Sequence, residues 1–207
     1  MANPAATASP VSAEAREPFL EALEALARVL AELDVPSMFI GGVAVIALGV
    51  ARSTVDIDAT VLAANLDLNR LVEIAEKHGF RPRVQDASGF ARAHQVLLLE
   101  HHTSGIPVDI TLASLPFEED AIGSSTTINY AGTPIQIPAA GDLLVYKVVA
   151  ARPRDLEDAE KLLLLYGSRL DLGRVRSIIS QFADALEDPG RLEIWDRMVE
   201  RLLRDAR

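Results

Sequence analysis

The stretch from Ile40 to Asp58, Ile-Gly-Gly-Val-Ala-Val-Ile-Ala-Leu-Gly-Val-Ala-Arg-Ser-Thr-Val-Asp-Ile-Asp, constrains this chain more than any other. Gly41 and Gly42 follow Met38-Phe39-Ile40, an apolar run that reads as a strand end. Val43 to Leu48 is apolar throughout, which predicts a short buried helix. A helix that starts at a glycine turn presents unpaired N–H groups and its positive end, and phosphate is the natural occupant. Val55 to Ala59 then reads as a strand, whose period of two puts Asp56 and Asp58 on one face and Ile57 on the other. Two neighbouring carboxylates repel unless a cation lies between them. Oxygen ligands of this kind suit Mg2+ (or Mn2+), which takes one or two carboxylates plus substrate phosphates. The implied chemistry is phosphoryl or nucleotidyl transfer.

A chain of 207 residues is long enough for one or two domains with a sizeable core. It has no cysteine, which excludes disulfides, thiolate metal sites and cysteine nucleophiles. No apolar run reaches the roughly 18 residues that a membrane span needs, and no membrane partner is expected. Residues 1–13 are rich in Ala, Pro, Ser and Thr and lack both a basic start and an apolar core, so they do not read as a secretory signal. A cytoplasmic protein is the default expectation. The net charge of −10 is uneven: residues 1–146 hold 8 basic and 18 acidic residues, and residues 147–207 hold 12 of each. The acidic first part argues against a broad duplex-DNA surface, because phosphate contacts need clustered Lys and Arg. It leaves open a nucleic-acid end entering a metal-filled cleft, since bound cations reverse the local field.

Taken in order, residues 1–17 read as a flexible arm. A helix is expected from about Pro18 to Leu33, where Phe19, Leu20, Leu23, Leu26, Ala27, Leu30 and Leu33 recur at helical steps. Strand 37–40, the glycine turn, helix 43–49 and strand 54–61 follow. Asn65 to His78 is a second amphipathic helix stopped by Gly79. Residues 80–94 read as strand fragments around a loop. Strands 95–100 and 107–112 form a hairpin with His101-His102 in its exposed turn, and 126–130 with 134–137 form another. From Pro138 the pattern is helical, with helices at 139–151, 153–166, 171–187 and 190–205. The expected architecture is an α+β core with a mixed sheet, 18–137, and a C-terminal helical subdomain, 138–207.

Three constellations carry chemistry. Asp109 sits in Pro107-Val108-Asp109-Ile110-Thr111, facing opposite to its apolar neighbours. A carboxylate inside an apolar strand is costly unless it is paired or ligated. If this strand lies beside the Asp56–Asp58 strand, three carboxylates converge and can hold divalent ions, and Asp109 can accept the acceptor hydroxyl's proton. The second group is Gly41-Gly42 with Arg52 and Thr54. Thr54 shares the face of Asp56 and Asp58, and Arg52 either clamps phosphate or pairs with its acidic surroundings. The third is Lys147, within the apolar Leu143–Val149 segment, followed by Arg152-Pro153-Arg154-Asp155-Leu156-Glu157-Asp158. Lys147 either snorkels to solvent or offers a point charge to a triphosphate, and Asp155 and Asp158 are its candidate ion partners. Arg81, Arg83 and Arg92 form a basic patch, either ordinary surface or a contact for an anionic acceptor.

Gly41-Gly42, thirteen intervening residues and Asp56-Ile57-Asp58 resemble the signature of the DNA polymerase β-like nucleotidyltransferase superfamily. Gly49, Arg52 and Thr54 bring the pattern nearer to its small prokaryotic branch, the AbiEii-type and MenT-type toxin nucleotidyltransferases and related proteins. Asp142-Leu143-Leu144, Lys147, Ala150, Arg152, Arg154-Asp155 and Asp158 are similar to that branch's later motif, with Arg154 where lysine is commoner and Pro153 before it. The resemblance covers roughly residues 38–165. It implies Asp56, Asp58 and Asp109 as metal ligands for Mg2+ or Mn2+, Gly41 and Gly42 at the phosphates, Lys147 at the nucleotide and Asp158 orienting it. It implies attack of an acceptor hydroxyl on the α-phosphate of a nucleoside triphosphate, with an RNA or tRNA end or a protein as acceptor. A toxin with a cognate antitoxin as partner is the biological form that this branch suggests. The alternatives are a small-molecule acceptor such as an antibiotic, for which acidity suits a cationic aminoglycoside, and a non-catalytic nucleotide-binding module of the same fold.

Overall fold

In a computed structural model of the chain, residues 13–204 are described. They form two compact units, one up to Pro138 and one from Ala139 onward. Among the described residues no helix is long and apolar enough to cross a membrane.

The first unit begins with α1 (Ala13–Leu33). It starts five residues before the expected point and carries Pro18 inside it rather than at its start. Residues 13–17 of the expected arm are thus helical, and residues 1–12 lie outside the described part. Proline there removes the one N–H that would reach back four residues to the carbonyl of Glu14, close to the helix start. Phe19, Leu23, Leu26 and Val29 are fully or almost fully buried. Each such side chain contributes on the order of 1.5–3 kcal/mol through removal from water.

A five-stranded sheet is the body of this unit. Its strands are β1 (Ser37–Ile40), β2 (Ile57–Leu62), β3 (Phe80–Pro82), β4 (Val96–His101) and β5 (Pro107–Ala113). They are ordered β1-β2-β5-β4-β3. Only the β2–β5 pair is parallel, so the sheet is mixed, as expected. One face is set by Ile57, Ala59, Val61, Val108, Ile110, Leu97 and Leu99, all buried, in the alternation that strand geometry requires.

The helices of this unit are α2 (Gly41–Ala47), α3 (Leu68–Lys77), α4 (Ala87–His94) and α5 (Pro116–Gly123). The Asp67 carboxylate accepts from the N–H groups of Asn69 and Arg70 at the start of α3, and Gly79, at φ +87°, ends it. Residues 80–94 hold β3, one of the strand fragments expected there, but α4 stands where a loop and further strand were expected. Asp86 caps α4 by accepting from Gly89 N–H at 2.9 Å. An Asp three residues before a glycine was the available signal, and the glycine masked it.

His101 also departs from expectation. It ends β4, is buried, has Ser104 Oγ 2.8 Å from its Nδ1 and packs its ring against Phe80. Strands β6 (Thr126–Tyr130) and β7 (Thr133–Ile137) form the second hairpin.

The second unit is helical: α6 (Ala140–Ala150), α7 (Pro153–Tyr166), α8 (Leu172–Ala185) and α9 (Gly190–Arg204), with a short 3-10 turn at Gly167–Arg169. Leu143, Leu144, Val148, Leu162, Ile179 and Trp195 form its core. Asp142, buried at the start of α6, receives Arg174 Nη1 at 2.7 Å from α8.

Candidate active site

The candidate site is built on the sheet face opposite that apolar layer. Asp58 is the cross-strand partner of Ile40 on one side and of Asp109 on the other. Asp109 is in turn opposite Leu98, and Arg83 donates its backbone N–H to Leu98 O at 3.0 Å. Residues in register across neighbouring strands share a face. Ile40, Asp58, Asp109 and Leu98 therefore form one row across four strands, and Arg83, just past the end of β3, continues it.

Asp56 lies two residues before Asp58, in the bend ahead of β2 rather than inside a strand. Its carboxylate accepts Thr54 Oγ–H at 2.7 Å, and Thr54 itself is fully buried. Arg52 Nε donates to Ser53 O at 3.1 Å.

The glycine pair is explained by close approach. Gly41 has φ +59°, and a Cβ placed on it would lie 1.9 Å from Asp58 Oδ2. A Cβ on Gly42 would lie 2.3 Å from Thr54 Oγ1 and 3.2 Å from an Arg52 guanidinium nitrogen. The pair sits in the first turn of α2, not in a turn ahead of it. The glycines thus let the backbone press directly against Asp58 and Thr54, which brings Gly41, Gly42, Arg52, Thr54, Asp56 and Asp58 together.

Asp58 and Asp109 share the sheet face and Asp56 stands in the bend before β2, but among the described residues no three acidic or imidazole groups stand close enough together to hold an ion. Asp109 Oδ1 is instead ion-paired with Arg83 Nη2. Partial burial raises the Asp109 pKa above its ordinary 3.8; Arg83 offsets part of that rise, and the negative charge of Asp56 adds to it. The donor chemistry still fits a divalent cation. Asp58 and Asp109 are register partners, the charge of Asp56 bears on Asp109, and the only cation on Asp109 among the described residues is the guanidinium of Arg83, a side chain one third exposed.

The basic patch does not persist as a patch. Arg81 is ion-paired with Glu100 and Arg83 with Asp109, while Arg92 is exposed in the last turn of α4. The Arg83–Asp109 pairing was not legible in the sequence. Its signal was the alternation Phe80-Arg81-Pro82-Arg83, which marks a strand but not its place in the sheet.

In the second unit, Lys147 does not snorkel. Its side chain is 8 % exposed, and its Nζ lies 2.8 Å from Asp155 Oδ1 and 3.0 Å from Asp158 Oδ2. Arg152 reaches Asp155 only at 3.9 Å.

No family model matches the sequence, and no curated protein matches it. Solved structures do. The antibiotic-resistance factor ANT(2'')-Ia in solution is 17 % identical with a TM-score of 0.58, covering 83 % of this chain and 94 % of that one. ANT(2'')-Ia in complex with adenylyl-2''-tobramycin is 20 % identical with a TM-score of 0.56, covering 82 % and 98 %. JHP933 from Helicobacter pylori is 14 % identical with a TM-score of 0.54, covering 95 % and 96 %. The chain therefore has the α+β fold of these solved structures.

Proposed function

We propose that the protein is a metal-dependent nucleotidyltransferase that moves a nucleoside monophosphate from a nucleoside triphosphate to an acceptor hydroxyl. The observation that carries this reading is the contact of Gly41 with Asp58, which is itself in register with Asp109. A backbone left open by glycine beside a carboxylate face suits a metal-bound phosphate, which supports the reading.

Asp56, Asp58 and Asp109 would hold Mg2+ or Mn2+, which supplies charge neutralisation at the phosphates and a more acidic acceptor hydroxyl. The α2 N–H groups at Gly41 and Gly42, with Arg52, bind phosphate oxygens, and Thr54 fixes the Asp56 carboxylate through the 2.7 Å hydrogen bond. The acceptor oxygen forms a bond to the α-phosphorus, and the bond from that phosphorus to the bridging oxygen breaks. Pyrophosphate leaves with the electron pair, and the acceptor proton passes to Asp109. Lys147 and Asp158 belong to the nucleotide side of this reading, supported by the sequence pattern alone.

The acceptor divides the reading. An RNA or tRNA end, or a protein, is the acceptor expected of a toxin with a cognate antitoxin. A cationic small molecule is the second reading. It is supported by the neutralised Arg81 and Arg83, by the net charge of −10 and by the likeness to ANT(2'')-Ia with its adenylylated tobramycin.

The test incubates the protein with each labelled nucleoside triphosphate, Mg2+ or Mn2+, and total RNA, cell protein or tobramycin in turn, with Asp56→Ala as control. Asp56-dependent label on one acceptor class supports the function and names the class. No transfer to any acceptor with any triphosphate overturns it.

A further inference from the structure

Arg83 is the residue of this face that the function above leaves unused. It follows β3 at the far edge of the sheet, four strands from Ile40, and its side chain spans the Leu98 position to reach Asp109. The two side chains are 33 % and 43 % exposed, so neither is locked in by packing. Asp58 and Asp109 are register partners and Asp56 bears on Asp109 electrostatically, yet the three do not gather into an ion-holding group. One carboxylate oxygen cannot serve a guanidinium and a divalent ion at full strength together, because two cations on one anion repel.

We propose that Arg83 is the resident counter-cation of Asp109 and gives it up when a divalent ion is taken up, so that Arg83 sets the metal affinity of the site. The inference rests on the nucleotidyltransferase reading. Arg83 is here a positioning residue, since it touches Asp109 and not the reacting atoms. An ion pair this exposed is weak and therefore readily exchanged. Once released, the guanidinium remains on the same face, in the row of Asp109.

The test measures Mn2+ binding to the full chain by calorimetry at fixed ionic strength, for wild type, Arg83→Gln, Arg83→Lys, Asp109→Asn and the Arg83→Gln/Asp109→Asn double variant. Arg83→Gln is expected to bind Mn2+ about two- to fivefold more tightly than wild type, and Arg83→Lys to stay near wild type. The gain should vanish when Asp109→Asn is the background, since nothing is then left to release.

Unchanged or weaker binding in Arg83→Gln, with measurable binding in wild type, overturns the role of Arg83 and leaves the proposed function standing. An equal gain in the Asp109→Asn background overturns it too, because a general field effect then suffices. Absence of Mn2+ binding in every form overturns both readings. As a second measurement, the Arg83 Nε–H resonance of the wild-type protein should move during a Mg2+ titration, and a stationary resonance overturns the exchange.

Discussion

A methyl group at position 41 would stand 1.9 Å from Oδ2 of Asp58. The backbone of Gly41 and that carboxylate are in direct contact, in a left-handed conformation that alanine adopts only at a cost of about 1–2 kcal/mol. Gly41→Ala must therefore move Asp58 or unwind the start of α2. A fall in melting temperature of roughly 4–8 °C is expected for about 2 kcal/mol in a chain of this size. Transferase activity should fall further than stability does, because Asp58 is displaced. A variant with wild-type turnover would contradict the contact.

Asp58→Asn and Asp109→Asn keep side-chain volume and remove one charge each. Loss of several kcal/mol of transition-state stabilisation predicts a turnover drop of about 100-fold or more for each. Circular dichroism should show both folded. The readout is kcat at saturating Mg2+, and activity within a few-fold of wild type would remove these residues from the reaction.

Lys147 has two carboxylates and little solvent. Removing its charge leaves Asp155 and Asp158 facing each other in a buried position, and breaking such a group costs about 3–5 kcal/mol. Lys147→Met should therefore melt well below wild type. Adding Asp155→Asn and Asp158→Asn should restore most of the melting temperature. If the restored triple variant also regains full nucleotide affinity, Lys147 serves packing alone.

The α8–α9 pair offers a pH readout away from the site. Arg176 Nε lies 2.7 Å from Asp196 Oδ1. Hydrogen bonding to Arg176 holds the Asp196 carboxyl below its ordinary 3.8. The stabilisation is thus present above pH 3.8 and is lost as pH falls through the lower folded-state value. Asp196→Asn should melt slightly below wild type at pH 6. The difference should close as pH is taken below 3.8, and it should shrink in high salt because both side chains are about half exposed.

By itself the sequence determined most of the local structure. The α7 bounds, the β6–β7 hairpin and the β4–β5 hairpin were legible because turn residues and periodicity act within a few residues. It also marked Gly41, Gly42, Thr54, Asp56, Asp58 and Asp109 as candidate site residues.

What it left open was register and partnership. That Asp58 faces Asp109 depends on β5 lying parallel to β2, about fifty residues away, and no local pattern encodes that distance. The helix α4 was hidden because Gly89 lowers helix propensity while Asp86 caps it, so propensity and cap disagreed. His101 looked like a turn residue until Phe80 covered its ring.

Arg83 was read beside Arg81 and Arg92 as basic surface. Only the strand order β5-β4-β3 brings it across Leu98 to the carboxylate of Asp109. Sequence fixes which groups a chain carries and their local periodicity; the choice of partner for each charge is made by strand pairing, which closes distances that the chain alone leaves open.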